Sequence, residues 1–424
     1  MLRTTSTQSA NSDGAAALGK HIVARCDELA RFSEEPGGLT CTYFSEAHRA
    51  VAAQLQSWMQ AAGLETEIDV VGNVSGRYRS ADPRAKTLIV GSHYDTVRNA
   101  GRYDGRLGIV TALAVAEELS RREQQLPFHL DVIAFSEEEG VRFGSSYLGS
   151  RAIAGKFDPQ ILERRDASGA SVADVIGAAG GRLDDIPALA RSPDDLLGYL
   201  EVHIEQGPVL LEADLPLGVV TAIAGGVRYA VAVTGVAGHA GTVPMASRHD
   251  AGSAAAELML FVESLCREAP GLVGTVGQLN VPNGAINVIP GRCELSLDIR
   301  SEDEGKLTRA IADVQARAAQ IEKSRGVTMA LTELQRTRAV PCSPPLLQLL
   351  ADALRKASIP VRKLPSGAGH DAGMFYGVCP TAMLFVRCGN GGVSHNPLET
   401  VTEADAGLAA NVLLDVLMTV HDPL

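Results

Sequence analysis

The sequence predicts an α/β protein, a mostly parallel sheet covered by helices, with a smaller α+β unit inserted in its chain. Three observations lead there. Apolar strand-like runs alternate with helical repeats before residue 217, the pattern of parallel strands joined by crossover helices. The texture then changes to strand, helix, two strands, helix and strand, an order that forms a self-contained α+β unit. After Pro341 the alternating texture returns, and 424 residues are in any case too many for one core by default.

Taken in order, residues 1–18 are polar and lack an apolar run, so they are expected to form a flexible tail and not a signal peptide. Residues 45–62 set Val51, Leu55, Trp58 and Met59 on one helical face, with Ser45 as cap and Gly63 as stop. Residues 87–90 read as strand, 107–119 as helix and 130–135 as strand. Residues 158–195 are polar and rich in Ala and Gly and predict only short helices. In the inserted part, 218–236, 271–281 and 292–300 are strand-like and 251–266 is helical. Helix 301–325 is expected to open with a capping box of Ser301 and Glu304, and it repeats Leu307, Ile311, Val314, Ala318 and Ile321 at helical spacing. Helix 346–357, strand 381–386 and helix 404–420 complete the chain. The expected division is a tail of 1–18, a main domain of 19–217 and 329–424, and an inserted domain of 218–328.

Hydrophobic residues make up 46% and charged residues 21%, as in soluble globular proteins. A net charge of −12 with no block of Lys or Arg argues against nucleic acid or an anionic membrane as partner. The nearest approach to a membrane span, 218–236, is broken by Gly225, Gly226 and Arg228. Seven scattered cysteines without a C-x-x-C pair point to a reducing cytoplasm.

The chemistry gathers at strand ends. In LIVGSHYDTVRNAGRYDGRLG, an apolar strand delivers His93 and Asp95 to its carboxyl end, and a glycine-punctuated loop presents Asp104. SEEEG follows the strand ending at Phe135; alone it reads as a solvated loop, but it also allows one glutamate to bind metal while its neighbour serves as general base. EVHIEQGPVL carries His203 and GGVSHNPLE carries His395. Each residue singly reads as a turn or packing residue. Together they lie on the α/β part, at or near strand ends, and three His with one Asp and one Glu suffice for two ions if the Asp bridges them.

The strings GSHYDTVRNAGRYDG, FSEEEGVRFG, EVHIEQGPVLE, GHAGTVPM, NVIPG, SGAGHDA and VSHNP resemble those of the hydantoinase/carbamoylase amidohydrolases, within the di-metal exopeptidase superfamily. The wording is closest to the allantoate-hydrolysing members. The resemblance implies two divalent ions per subunit, Mn²⁺ or Zn²⁺ with Co²⁺ or Ni²⁺ compatible, one on His93, Asp104 and His203 and one on Asp104, Glu139 and His395. It implies Glu138 as general base and Asp95 as support for His93. The inserted unit would be a ferredoxin-like lid and dimerisation domain. In the homodimer, His239 would reach the active site of the partner subunit and stabilise the oxyanion, while Asn287 and Arg300 grip the substrate carboxylate and Gln206, Gly369 and His370 line the site. From the residues alone, Arg300 beside Glu302, Asp303 and Glu304 reads as a surface ion pair, and His239 as a turn residue.

The implied reaction is hydrolysis of a ureido C–N bond in a small carboxylic acid, first allantoate, giving ureidoglycine, ammonia and carbon dioxide. N-carbamoyl-L-amino acids and β-ureidopropionate are the alternatives. A di-zinc peptidase would share the metal strings, but HIEQG, GHAGT, Asn287 and Arg300 favour a ureido acid; a non-catalytic binding homologue is expected to have lost a ligand or the base, and here the full set is present. Gly226 and Gly373 stand where relatives often carry larger polar or flexible side chains, which leaves the exact substrate open.

Overall fold

Four wholly buried strands make the centre of the main sheet: His129–Phe135, Thr87–His93, Leu196–Ile204 and Thr381–Val386, side by side in that order and all parallel. Burial on both faces explains why these runs are apolar almost throughout instead of alternating. In the computed structural model, which describes residues 5–422, antiparallel strands flank this centre. Val74–Tyr78 and then Glu65–Ile68 lie beyond one edge, and Leu217–Ile223 lies beside Thr381–Val386 at the other.

Helix Arg106–Arg121 packs on the parallel strands and carries helices Thr5–Leu29 and Glu403–Thr419 on its outer side. Helix Glu46–Ala61 buries Val51, Leu55 and Met59, and Ser45 Oγ accepts the His48 amide at 3.1 Å as the expected cap. Residues 158–195 form short helical turns around a small core that includes Ile161, Val172, Ile176 and Ile186. Among the described residues no helix is long and apolar enough to cross a membrane, and all seven cysteines are free thiols.

The chain divides into two compact units: Ala222–Pro341 with Pro365–Gly369, and the remainder. The second unit is a split β-α-β fold. Its antiparallel strands run in the order Leu279–Asn280, Arg292–Ser301, Gly225–Thr234, Thr328–Thr337, with Leu272–Thr275 on the same edge as Leu279–Asn280. Along Gly225–Thr234, residues Val227, Tyr229, Val231 and Val233 point into a core shared with helices Ala251–Glu268 and Glu304–Arg325, while alternate residues point away.

Three expectations need correction. The second unit runs to Pro341 and not to residue 328, because Thr328–Thr337 pairs with Gly225–Thr234 along its length. The helix expected from residue 301 is capped by Asp303, whose side chain accepts the Lys306 amide; Ser301 instead ends the preceding strand and donates to the Gly271 carbonyl. The backbone is helical from Thr5, in place of a flexible tail through residue 18. The physical reason is a close helix crossing: a Cβ on Gly19 would lie 1.8 Å from the Glu403 carbonyl oxygen, and one on Gly407 2.0 Å from that of Ala15. The polar face of this helix masks its docking in the sequence; the small residues around Gly19 are the trace of it.

Candidate metal centre

The four parallel strands deliver four site segments from their carboxyl ends, where an open α/β sheet places its ligands. His93 is the last residue of its strand; Glu138 and Glu139 follow the strand ending at Phe135; His203 is the penultimate residue of its strand; His395 lies in the loop after Val386. Asp104 precedes helix Arg106–Arg121, and the turn between them demands glycine. Gly105 has φ 66°, and a Cβ there would lie 2.4 Å from the His93 carbonyl oxygen and 2.5 Å from its imidazole.

Asp104 is the centre. Its Oδ1 lies 3.7 Å from His93 Nε2 and 3.3 Å from His203 Nε2, and its Oδ2 lies 3.0 Å from His395 Nε2, which is 3.4 Å from Glu139 Oε1. Two sets of ligand atoms result, His93–Asp104–His203 and Asp104–Glu139–His395, each within 4.8 Å. The donor set fits a divalent ion of the Mn²⁺ to Zn²⁺ series. The imidazole tautomers fit too. His203 Nδ1 must donate to the Ile204 carbonyl at 2.9 Å, so its buried Nε2, without a hydrogen-bond partner, points a lone pair at a carboxylate oxygen. Two electron-rich atoms facing each other in a buried site call for a cation between them.

The imidazoles shift in opposite directions: burial lowers His203, whereas at His93 burial is outweighed by neighbouring carboxylates and at His395 the hydrogen bond to Asp104 raises the ring. Burial lowers His203 to about 4, keeping it neutral as a ligand must be. Burial and the Asp104 charge raise Glu139 to about 7, and the hydrogen bond to Asp104 raises His395 to about 9. Burial works against ionisation of Asp104, but His395 and the other imidazoles outweigh it and hold the carboxyl below its ordinary value. Burial pushes Glu138 well above the usual carboxylate range.

Asp95 does more than the sequence suggested. His93 Nδ1 lies 3.1 Å from its carbonyl oxygen and 3.5 Å from its carboxylate, while the two carboxylate oxygens accept the amides of Glu138 and Glu139 at 3.0 and 3.1 Å. One residue thus sets an imidazole and both glutamates. Gln206, expected to line the site, donates from Nε2 to both Asp104 oxygens at 3.2 and 3.1 Å. Gln206 and His395 both hold positive φ, 56° and 54°, strain of the kind that collects at functional sites. His370 is buried against His203, ring centroids 4.4 Å apart.

A family model, Peptidase family M20/M25/M40, matches residues 89–419. The chain belongs to this family. N-carbamoyl-L-amino acid amidohydrolase of Geobacillus stearothermophilus is 40% identical to it over 93% of this chain and 97% of that one. Allantoate deiminase of Arabidopsis thaliana is 39% identical over 95% of this chain and 82% of that one. The crystal structure of a hydantoinase/carbamoylase family amidase from Burkholderia multivorans matches with TM-score 0.89 at 31% identity, over 95% of this chain and 97% of that one.

The remaining residues implied by the sequence resemblance, His239, Asn287, Arg300 and Gly369, lie on the second unit. His239 is exposed on a two-stranded ribbon, paired with Val288 next to Asn287, whose carbonyl accepts the Ala240 amide. Arg300 grips both oxygens of Asp298, two residues back on its own strand, at 2.9 Å and donates to the Gly367 carbonyl at 2.9 Å. Asp298 also holds Arg228, and both arginines line a cavity of about 770 Å³ confined to this unit. Gly226 lies opposite Arg300 in the ladder, where a Cβ would come within 3.2 Å of Arg300 Cγ. Gly369 closes the short return segment of this unit, and Gly373 donates its amide to the His370 carbonyl.

Sequence reasoning named no role for Glu201, Ser394 or Glu399. Glu201 is fully buried and accepts from Ser92 Oγ, Tyr199 hydroxyl and the Ala372 amide, tying the His93 and His203 strands to the His370 loop. Both glutamates stand inside strings quoted for other residues, EVHIEQG and GGVSHNPLE, and only the fold reveals what they bind.

Proposed function

We propose that this chain cleaves the ureido C–N bond of a small carboxylate-bearing substrate, with allantoate as the first choice and N-carbamoyl-L-amino acids as the second. As a member of its family it is a hydrolase of carbon–nitrogen bonds. One observation carries the reading: three imidazoles and Glu139 converge about a shared Asp104, with a further buried carboxylate, Glu138, held beside them by Asp95. The relatives named for allantoate and for N-carbamoyl amino acids supply the substrate class.

His93, Asp104 and His203 would hold one divalent ion, and Asp104, Glu139 and His395 another. Bound there, such ions supply Lewis-acid polarisation of water and of the carbonyl under attack. Glu138 takes a proton from the attacking water and returns it to the departing nitrogen. Its burial raises it above the usual carboxylate range, the direction in which enzymes tune a carboxyl group that both takes and returns a proton. The carbamate product breaks down to ammonia and carbon dioxide. Arg300 offers a planar fork to the substrate carboxylate, and Asp298 fixes the plane of that fork. Asn287 assists the grip, Gln206, Gly369 and His370 line the site, and His239 serves the oxyanion in the partner subunit of a homodimer.

A side-by-side assay with added Mn²⁺ or Zn²⁺ decides the substrate. Release of ammonia from allantoate is the expected result. Turnover of an N-carbamoyl-L-amino acid or β-ureidopropionate without turnover of allantoate replaces the first choice by the second. Hydrolysis of a dipeptide with none of the ureido acids overturns the reading.

A further inference from the structure

We infer that Glu399 is a positioning residue: its buried carboxylate fixes Asp104 and the His395 loop against each other. The inference rests on the two-ion reading above and adds what holds its second ligand set together.

His395 and Asp104 come from segments about 290 residues apart, and His395 sits on a loop with 49% of its side chain exposed. Nothing in a strand ladder sets its distance from Asp104. Glu399 does. Its Oε1 accepts the amides of Tyr103 and Asp104 at 2.8 and 3.2 Å, and its Oε2 accepts Ser394 Oγ at 2.8 Å. One side of the carboxylate therefore holds the backbone of the shared ligand, and the other holds the residue before the loop imidazole. The fit is close on a third side, because a Cβ on Gly101 would lie 2.3 Å from the Glu399 carboxyl carbon and 2.4 Å from its Cβ. A buried carboxylate with three donors, two from one ligand loop and one from the other, is a clamp; groups that orient metal ligands in this way typically govern affinity by about 10- to 100-fold.

Glu399→Gln keeps the geometry, since its amide oxygen accepts the two backbone amides and its amide nitrogen donates to Ser394 Oγ. Glu399→Ala removes both arms, and Gly101→Ala pushes the carboxylate aside from the opposite direction. Calorimetric titration of the metal-free full chain with Mn²⁺ or Zn²⁺ should show the second equivalent weakened by about 10- to 100-fold in Glu399→Ala and Gly101→Ala, the first weakened less, and most of the loss restored in Glu399→Gln. Hydrogen exchange of the metal-free protein should rise at the amides of residues 103–104 and in 390–399 for the two disruptive variants. Wild-type binding of both equivalents by Glu399→Ala, or unchanged exchange in both segments, overturns the inference. A wild-type chain that binds a single ion overturns the two-ion reading instead, and the exchange measurement then decides the clamp by itself. Should Glu399→Ala not fold, the contrast between Gly101→Ala and Glu399→Gln in the same two measurements decides in its place.

Discussion

The two sets of ligand atoms share Asp104 and otherwise differ in construction. His93 and His203 lie on neighbouring parallel strands, each in register with its other neighbour, His93 opposite Phe135 and His203 opposite Phe385, both buried, with their Nδ1 atoms pinned by backbone carbonyls. Glu139 and His395 are loop residues, His395 with positive φ and half exposed. A sheet places the two imidazoles of the first set, whereas Glu139 and His395 of the second depend on side chains such as Asp95 and Glu399, which also support His93 and Asp104. On the two-ion reading, the difference predicts unequal affinity for the two ions and unequal responses to mutation.

Asp104→Ala tests what the sets have in common. It should empty both and lower kcat/KM by about four orders of magnitude or more, as loss of a group on which a whole unit depends does. Metal analysis of the purified variant checks this, and retention of either ion would break the shared-ligand reading. Glu138→Gln should cost about 10²- to 10⁴-fold in kcat while both ions stay. Activity within a few-fold of wild type, with metals bound, would remove Glu138 as base.

The comparison itself is sharpened by His395→Ala against His203→Ala. The loop variant should keep one tightly bound ion and lose the other on dialysis against a mild chelator; the strand variant should lose the ion that wild type releases last. Reversal of that order would place the stronger site on the loops. The smallest effect concerns the strand-borne side. His48, buried in helix Glu46–Ala61, donates from Nε2 to the Ser136 carbonyl just before the glutamates, at 2.7 Å, and burial lowers it from 6.5 to about 4. A histidine held neutral in the folded state stabilises fully above its unfolded value and loses that contribution as pH falls from 6.5 to about 4. At ~1.4 kcal/mol per unit the contribution is at most about 3 to 4 kcal/mol. Denaturant unfolding of His48→Gln at pH 7 and pH 4.5 should show a shallower pH dependence than wild type by up to that amount; an equal slope would remove His48 as a source of acid sensitivity.

The contrast between strand and loop also governs what could be read in the sequence. Apolar runs that are buried on both faces announce themselves, so the central strands, and the candidate ligand residues at or just beyond their ends, are legible from composition and position. The helix Thr5–Leu29 is not, because its docking depends on a backbone crossing at Gly19 that has no periodic trace. The boundary of the second unit is hidden because a strand with mostly exposed residues, Thr328–Thr337, looks like linker until its partner is known. Glu399 is invisible as a clamp for a similar reason: two of its partners are backbone amides, which any sequence supplies.

The crossing of Gly19 and Gly407 sets an order of events during synthesis. Ile22, Cys26 and Leu29 belong to the first described helix, yet that helix docks on Glu403–Thr419, which is synthesised after nearly all of the second unit. The second unit draws nearly all of its residues from 222–341 and has its core complete long before then. The main unit therefore completes its packing only after the unit inserted in it has been made.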